Sequence, residues 1–216
     1  MERSLLLLVA VVAFANAAKS ALVLDNIANT SGDSTFVGDT DWLAQGFETS
    51  AGSWTLDDVV VRVGGNSTNV FVAIYADSGI GSPASAPGGV LETLSGQSSF
   101  STGPVLSNIT YTSSGLSLAG NTLYWIVVGA GSGSTMFWSS ANNATMSTAI
   151  WSLPSGNTIA TSSDDGSSWN PSSFVLNFSI NATSSAAVPE PGTWAAAALL
   201  AGGAAFARWR RRRESK

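Results

Sequence analysis

Thr122-Leu123-Tyr124-Trp125-Ile126-Val127-Val128 carries the strongest strand signal in the chain, a run of aromatic and β-branched residues that fits a pleated, buried surface. Val70-Phe71-Val72-Ala73-Ile74-Tyr75-Ala76 is its nearest equal, apolar on both faces as a central strand would be, and stops at Asp77-Ser78-Gly79. Working outward, Trp42-Leu43-Ala44-Gln45-Gly46-Phe47 alternates, and Leu56 to Val63 reads as a half-buried strand ending at Gly64-Gly65. A loop from Gly81 to Gly89 holds Pro83 and Pro87, and Val90-Leu91-Glu92-Thr93-Leu94 resumes the extended pattern. Met136-Phe137-Trp138 and Phe174 to Ile180 complete the set, and no segment between them shows an apolar helical stripe with caps. Short strands separated by Gly, Pro, Asn and Ser turns predict an all-β domain, an antiparallel β-sandwich with a jelly-roll-like arrangement.

Composition narrows the chemistry. The 216 residues include no cysteine and no histidine, which removes disulfides, thiolate metal sites, a cysteine nucleophile, the commonest general base and the usual zinc ligand. A Ser-His-Asp triad is therefore excluded. Between Ala18 and Ala187 the cations are Lys19 and Arg62, against eleven carboxylates, a net charge of −9. A surface this acidic repels nucleic acid and anionic lipid.

The two ends differ from the middle. Met1-Glu2-Arg3-Ser4, the apolar run Leu5 to Phe14 and the small residues Ala15-Asn16-Ala17 form a secretory signal peptide, residues 1–17, with cleavage after Ala17. The secreted domain then spans residues 18–183 and a linker spans 184–187. At the other end stand Val188-Pro189-Glu190-Pro191-Gly192, an uncharged apolar stretch from Thr193 to Ala207, and Arg208-Trp209-Arg210-Arg211-Arg212-Arg213. Proline stiffens the first part against helix. The second makes a single C-terminal transmembrane helix of roughly 22 Å, shorter than the ~30 Å hydrocarbon core. Trp194 and Trp209 bracket it at interface positions, and Arg208, Arg210, Arg211, Arg212 and Arg213 orient it with the cluster in the cytoplasm.

That ordered arrangement over residues 188–216 resembles the PEP-CTERM sorting signal of bacterial exported proteins. The resemblance implies recognition of Val188, Pro189, Glu190 and Pro191 by an exosortase, removal of the tail, and a passage from the inner membrane to the cell surface or extracellular matrix. Within the domain, Trp42-Leu43-Ala44-Gln45-Gly46-Phe47, Val70 to Tyr75 running into Ala76-Asp77-Ser78-Gly79, Gly88-Gly89-Val90-Leu91, and Leu118-Ala119-Gly120-Asn121-Thr122-Leu123-Tyr124-Trp125 are similar to the choice-of-anchor domain, R type. This second likeness covers roughly residues 22–180 and implies an anchored surface domain with no assigned activity.

Three kinds of chemistry remain open for the domain. Asp33, Asp39 and Asp41, with Asn29 and Ser31 nearby, offer the oxygen ligands calcium prefers, and Asp164-Asp165-Gly166 is a second acidic turn; acidic residues capping turns explain both equally. Of the eight tryptophans, Trp42 and Trp125 belong to strands and the core. Trp54, Trp151 and Trp169 have Ser, Gly, Asn or Pro neighbours and are candidate loop platforms for stacking on an exopolysaccharide, or plugs for the ends of a sandwich. Paired carboxylates can run glycoside hydrolysis, but Asp57 and Asp58 are neighbours on a strand and point to opposite faces. Six Asn-x-Ser/Thr sequons, including one at Asn177 within a strand, follow from a Ser- and Thr-rich composition. The expectation is a non-enzymatic exported surface protein with no cofactor, with a carbohydrate-binding module, calcium-assisted or not, as the alternative and a carboxylate hydrolase behind it.

Overall fold

All regular structure among the described residues is β. The computed structural model describes residues 19–29, 34–79, 85–141, 146–155, 159–172 and 174–185. The signal peptide, Asp33, the sorting motif, the apolar stretch and the Arg cluster lie outside them. The strands are β1 (Ser20–Asp25), β2 (Ser34–Val37), β3 (Trp42–Glu48), β4 (Ser53–Ser67), β5 (Phe71–Asp77), β6 (Pro87–Thr93), β7 (Phe100–Thr112), β8 (Ser117–Leu118), β9 (Leu123–Gly129), β10 (Thr135–Ala141), β11 (Thr148–Ala149), β12 (Ile159–Ser162), β13 (Asn170–Ser172), β14 (Val175–Leu176) and β15 (Phe178–Ser185).

They form two antiparallel sheets. The six-stranded sheet runs β13-β12-β3-β9-β5-β6. The nine-stranded sheet runs β11-β1-β15-β4-β10-β14, with β7 and β8 also paired to β4 and β2 to β10. β9 explains how the sheets meet. Alternation puts Tyr124, Ile126 and Val128 on one face, where they share a buried cluster with Val59, Val61 and Val63 of β4. The opposite face carries Trp125 and Val127, which pack with Trp42, Phe71, Tyr75, Leu123 and Trp169 in a layer of their own. The central strand is thus apolar on both faces for two different reasons. One face closes the sandwich-like core and the other supports an aromatic layer. Each fully buried large aromatic removes roughly 150–250 Å² from water, worth about 4–6 kcal/mol before entropy is counted.

β4 is the spine of the larger sheet and differs from the sequence expectation. It does not end at Gly64-Gly65 but continues to Ser67. Its first half pairs with β15 from Ser53 to Val61, and its second half pairs with β10 from Val63 to Asn66. Two glycines allow the changeover. A Cβ on Gly64 would stand 2.3 Å from the Val105 carbonyl oxygen, and one on Gly65, at φ 120°, would stand 2.1 Å from the Thr135 oxygen. The pairing of β4 with β7 shifts register on both sides of Gly65, the signature of a bulge.

Asn177 holds the junction where β14 hands over to β15. Its side chain is fully buried, as are those of Gln45 and, to within 1%, Asn26. Asn177 Nδ2 donates to the Asn26 and Asn29 carbonyls at 2.9 and 2.8 Å, and its Oδ1 accepts from Ser139 Oγ at 2.8 Å. Its carbonyl accepts from Trp138 Nε1 at 2.8 Å. Asn26 returns the favour by donating to the Leu176 carbonyl and accepting from the Phe178 amide, while Gln45 Oε1 accepts from the Leu176 amide. The network ties β10, β14 and β15, together with the chain just after β1, to β3 of the other sheet. Buried polar groups are tolerable only when satisfied in this way.

Candidate functional site: an aromatic cleft beside two acidic turns

The tryptophans expected in loops are placed differently from one another. Trp54 lies in β4 at 9% exposure and Trp151 is 1% exposed. Trp151 stacks on Phe47 with centroids 5.5 Å apart and planes at 5°, and meets Trp54 edge-on at 5.5 Å and 87°. Trp54 Nε1 donates to the Ser50 carbonyl at 3.2 Å. These two rings fill the core between the sheets, so neither offers a face to a sugar. The correction has a simple cause: Ser and Gly neighbours mark local turns, but a ring of this size buries itself wherever the turn leads. Trp169, by contrast, is half-buried in the outer aromatic layer.

Trp42 departs from expectation in the opposite direction. It opens β3 on the outer face and is only half-buried. Its ring meets Phe71 of β5 edge-on, with centroids 4.8 Å apart. Together they line a cleft of about 500 Å³ with Asp39, Thr40, Asn69, Ala130, Gly131, Ser132 and Asp165. A second recess of about 300 Å³ is also lined by Trp42, with Phe36, Asp41, Thr161, Ser162 and Asn170 among its walls. Asp39, Thr40, Asn69, Ser132 and Asp165 are all exposed.

Folding brings together two acidic turns that are more than a hundred residues apart in the chain. The Asp165 amide donates to the Thr40 carbonyl at 3.1 Å, which locks the turn before β3 to the turn after β12. Asp164 organises the second turn from inside: its Oδ1 accepts from Ser162 Oγ and the Ser168 amide, both at 2.8 Å, and its Oδ2 accepts from Ser168 Oγ at 2.7 Å. Those bonds to Ser168 and Ser162 hold the Asp164 carboxyl below its usual range. Gly166, at φ 76°, presses on the ring of Trp42 so closely that a Cβ would stand 2.6 Å from it. Asp39 accepts from the Gly133 amide. Of the four non-glycine residues with positive φ among the described residues, three line this one cleft: Asp39 at 40°, Asn69 at 55° and Asp165 at 56°. Asn and Asp take that conformation most readily, at a cost of about 1–2 kcal/mol each.

The remaining candidates are accounted for individually. Asp39 and Asp41 fall on the rims of the two recesses, and Asp33 lies outside the described residues. Among the described residues no three Asp, Glu, His or Cys side chains come together as a metal site would require. Asp57 and Asp58 are spent on β15, accepting from Thr183 Oγ1 at 2.9 Å and Asn181 Nδ2 at 2.8 Å. The sequon at Asn177 is buried and unavailable to any modifying enzyme once folded.

The arrangement can do one thing well: hold a ring-shaped or alkyl face against Trp42 and Phe71 while carboxylate, amide and hydroxyl groups at the rim take polar substituents. Sequence reading missed it by assigning Trp42 to the core and treating the acidic turns separately. A signal was present, since each turn lies within four residues of a tryptophan, Asp41 beside Trp42 and Asp165 near Trp169.

No protein-family model, curated protein or solved structure matches the chain.

Proposed function

We propose that this chain is an exported, non-catalytic surface or matrix protein, sorted and processed through a PEP-CTERM-like signal at residues 188–216. The observation that carries the reading is where the fold stops: β15 ends at Ser185, and the compact unit ends with it. Every described strand lies within residues 20–185, so cleavage at the motif would leave all of them in the released domain. In this reading Val188, Pro189, Glu190 and Pro191 are the recognition element for an exosortase-type membrane enzyme. Thr193 to Ala207 holds the precursor in the membrane, and Arg208 with Arg210 to Arg213 keeps the extreme end cytoplasmic. The domain itself we assign to the jelly-roll-like sandwiches. Support comes from the chain crossing between sheets at β2 to β3, β3 to β4, β4 to β5, β6 to β7, β8 to β9, β9 to β10, β11 to β12 and β13 to β14, as the sheet orders require.

Replacing Pro189, Glu190 and Pro191 together with alanine tests the sorting role. Export should continue, and intact-mass analysis of surface material should find the tail still attached; normal removal of the tail would overturn the assignment.

A second reading, carbohydrate binding, is favoured by one specific observation: the half-buried Trp42 and Phe71 in an open cleft with a polar rim. Trp54 and Trp151 no longer belong to it.

A further inference from the structure

Resting on the carbohydrate reading and extending it to a ligand class, we propose that the cleft around Trp42 binds a glycan bearing protonated amino groups. Such a ligand is a hexosamine chain from which part of the N-acetyl groups are missing.

Charge argues first. The large recess has Asp39 and Asp165 on its rim and the smaller one has Asp41, while neither is lined by a Lys or Arg among the described residues. The domain's two cations, Lys19 and Arg62, lie elsewhere in the chain, so an anionic uronic-acid polymer would meet uncompensated repulsion here. A protonated amine gains instead, by charge-assisted hydrogen bonds to the carboxylates and by attraction to the ring faces of Trp42 and Phe71.

Shape argues for a sugar over a basic peptide. The two recesses, about 500 and 300 Å³, share Trp42 as a common wall, which suits a ligand of repeating rings. Their volumes span the lower half of the range found for small-ligand sites. Hydroxyls and amides at the rims (Thr40, Asn69, Ser132, Thr161 and Asn170) match a ligand with a hydroxyl on nearly every carbon. Preorganisation argues third. Asp39, Asn69 and Asp165 have left-handed backbones in turns tied down by the Thr40–Asp165, Thr68–Gly131 and Asp39–Gly133 contacts, so little order is left to impose on binding.

Titration calorimetry on the full chain in detergent, at low salt and mildly acidic pH, tests this with four probes: a β-linked glucosamine hexamer, its fully N-acetylated counterpart, a uronic acid hexamer and hexalysine. The glucosamine hexamer should bind, weaken as salt is raised, and exceed the N-acetylated hexamer by about tenfold, the effect of one or two charge contacts. The uronic acid hexamer should not bind. Trp42→Ala should abolish binding. Because that ring also packs on Gly166, the exposed pair Asp39→Asn and Asp165→Asn gives the safer variant, keeping an acceptor for the Gly133 amide. It should lower affinity about tenfold with thermal unfolding unchanged. Undiminished binding by the double variant, or hexalysine binding as tightly as the glucosamine hexamer, would overturn the proposal. Equal binding of the N-acetylated hexamer would overturn the amino-sugar assignment and leave carbohydrate binding standing. Binding of no saccharide would remove both.

Discussion

Asn177 shows how much one residue can decide. Its buried side chain makes three hydrogen bonds, to Asn26, Asn29 and Ser139. Asn177→Ala would remove three hydrogen bonds and leave the buried Ser139 hydroxyl without its acceptor, each lost bond worth about 1 kcal/mol. We expect a total loss of about 3 kcal/mol, seen as a lower urea midpoint with an unchanged slope; a loss under about 1 kcal/mol would show that the network is not cooperative. The sequence displayed this residue only as the first position of a sequon within a strand. Nothing local marks it as a clasp, because its partners at Asn26 and Ser139 are 151 and 38 residues away. The tryptophans teach the same lesson from the other side. A flanking Ser suggested a loop platform at Trp151, which packs into the core, and membership of a strand suggested burial for Trp42, which is only half-buried on the outer face of its sheet.

Elements were legible where they are apolar, alternating or not, and illegible where they are polar. β3, β5, β9 and β10 fall where apolar periodicity puts them, while β6 starts at Pro87, within the stretch read as a loop. β7, with thirteen residues FSTGPVLSNITYT, was invisible because it is mostly polar, carries a Gly-Pro step and leaves Val105 63% exposed. It is a strand because β4 beside it supplies a ladder. In β4, Gly64-Gly65 resembled a terminator and is instead a bend within the strand. Gly65→Ala should destabilise the domain by at least about 2 kcal/mol, since it adds left-handed strain to a backbone clash. Hydrogen exchange should report faster opening in β4 and β10, and unaltered protection there would count against the bend as a constraint. Glu92 joins the end of β6 to the turn after β7, accepting from Ser113 Oγ at 2.7 Å and from the Ser114 amide and hydroxyl at 2.6 Å. Burial pushes its carboxyl up, but those bonds outweigh it and the net position is below the ordinary 4.5. The ionised form is the one the fold favours. Its contribution is therefore complete above 4.5 and fades as pH falls through that value toward the lower folded one. Glu92→Gln should lower the melting temperature at neutral pH, by a small amount for so exposed a group, and the gap to the parent should close below pH 4.5.

At the scale of the molecule, composition settled more than pattern did. The absence of cysteine and histidine left packing as the main source of stability, and two antiparallel sheets provide it. The pairing of sheet edges, by contrast, depends on contacts between distant segments that no local window contains. Charge gives a whole-molecule prediction. The tail from Val188 carries six cations and two carboxylates, so its removal takes away a net +4. Mature protein should focus at a more acidic pH than precursor on a denaturing gel, and coincident bands would mean that the tail had stayed. A final consequence comes from β1 and β15. Ser20 pairs with Thr183, and β15 lies between β1 and β4. A chain that emerges amino end first must leave its opening strand waiting for a partner encoded about 160 positions later, so the two ladders that β15 makes with β1 and β4 form last. The larger sheet is complete only when Phe178 to Ser185 arrive, so a chain truncated before them would leave β1 and β4 without the strand that joins them.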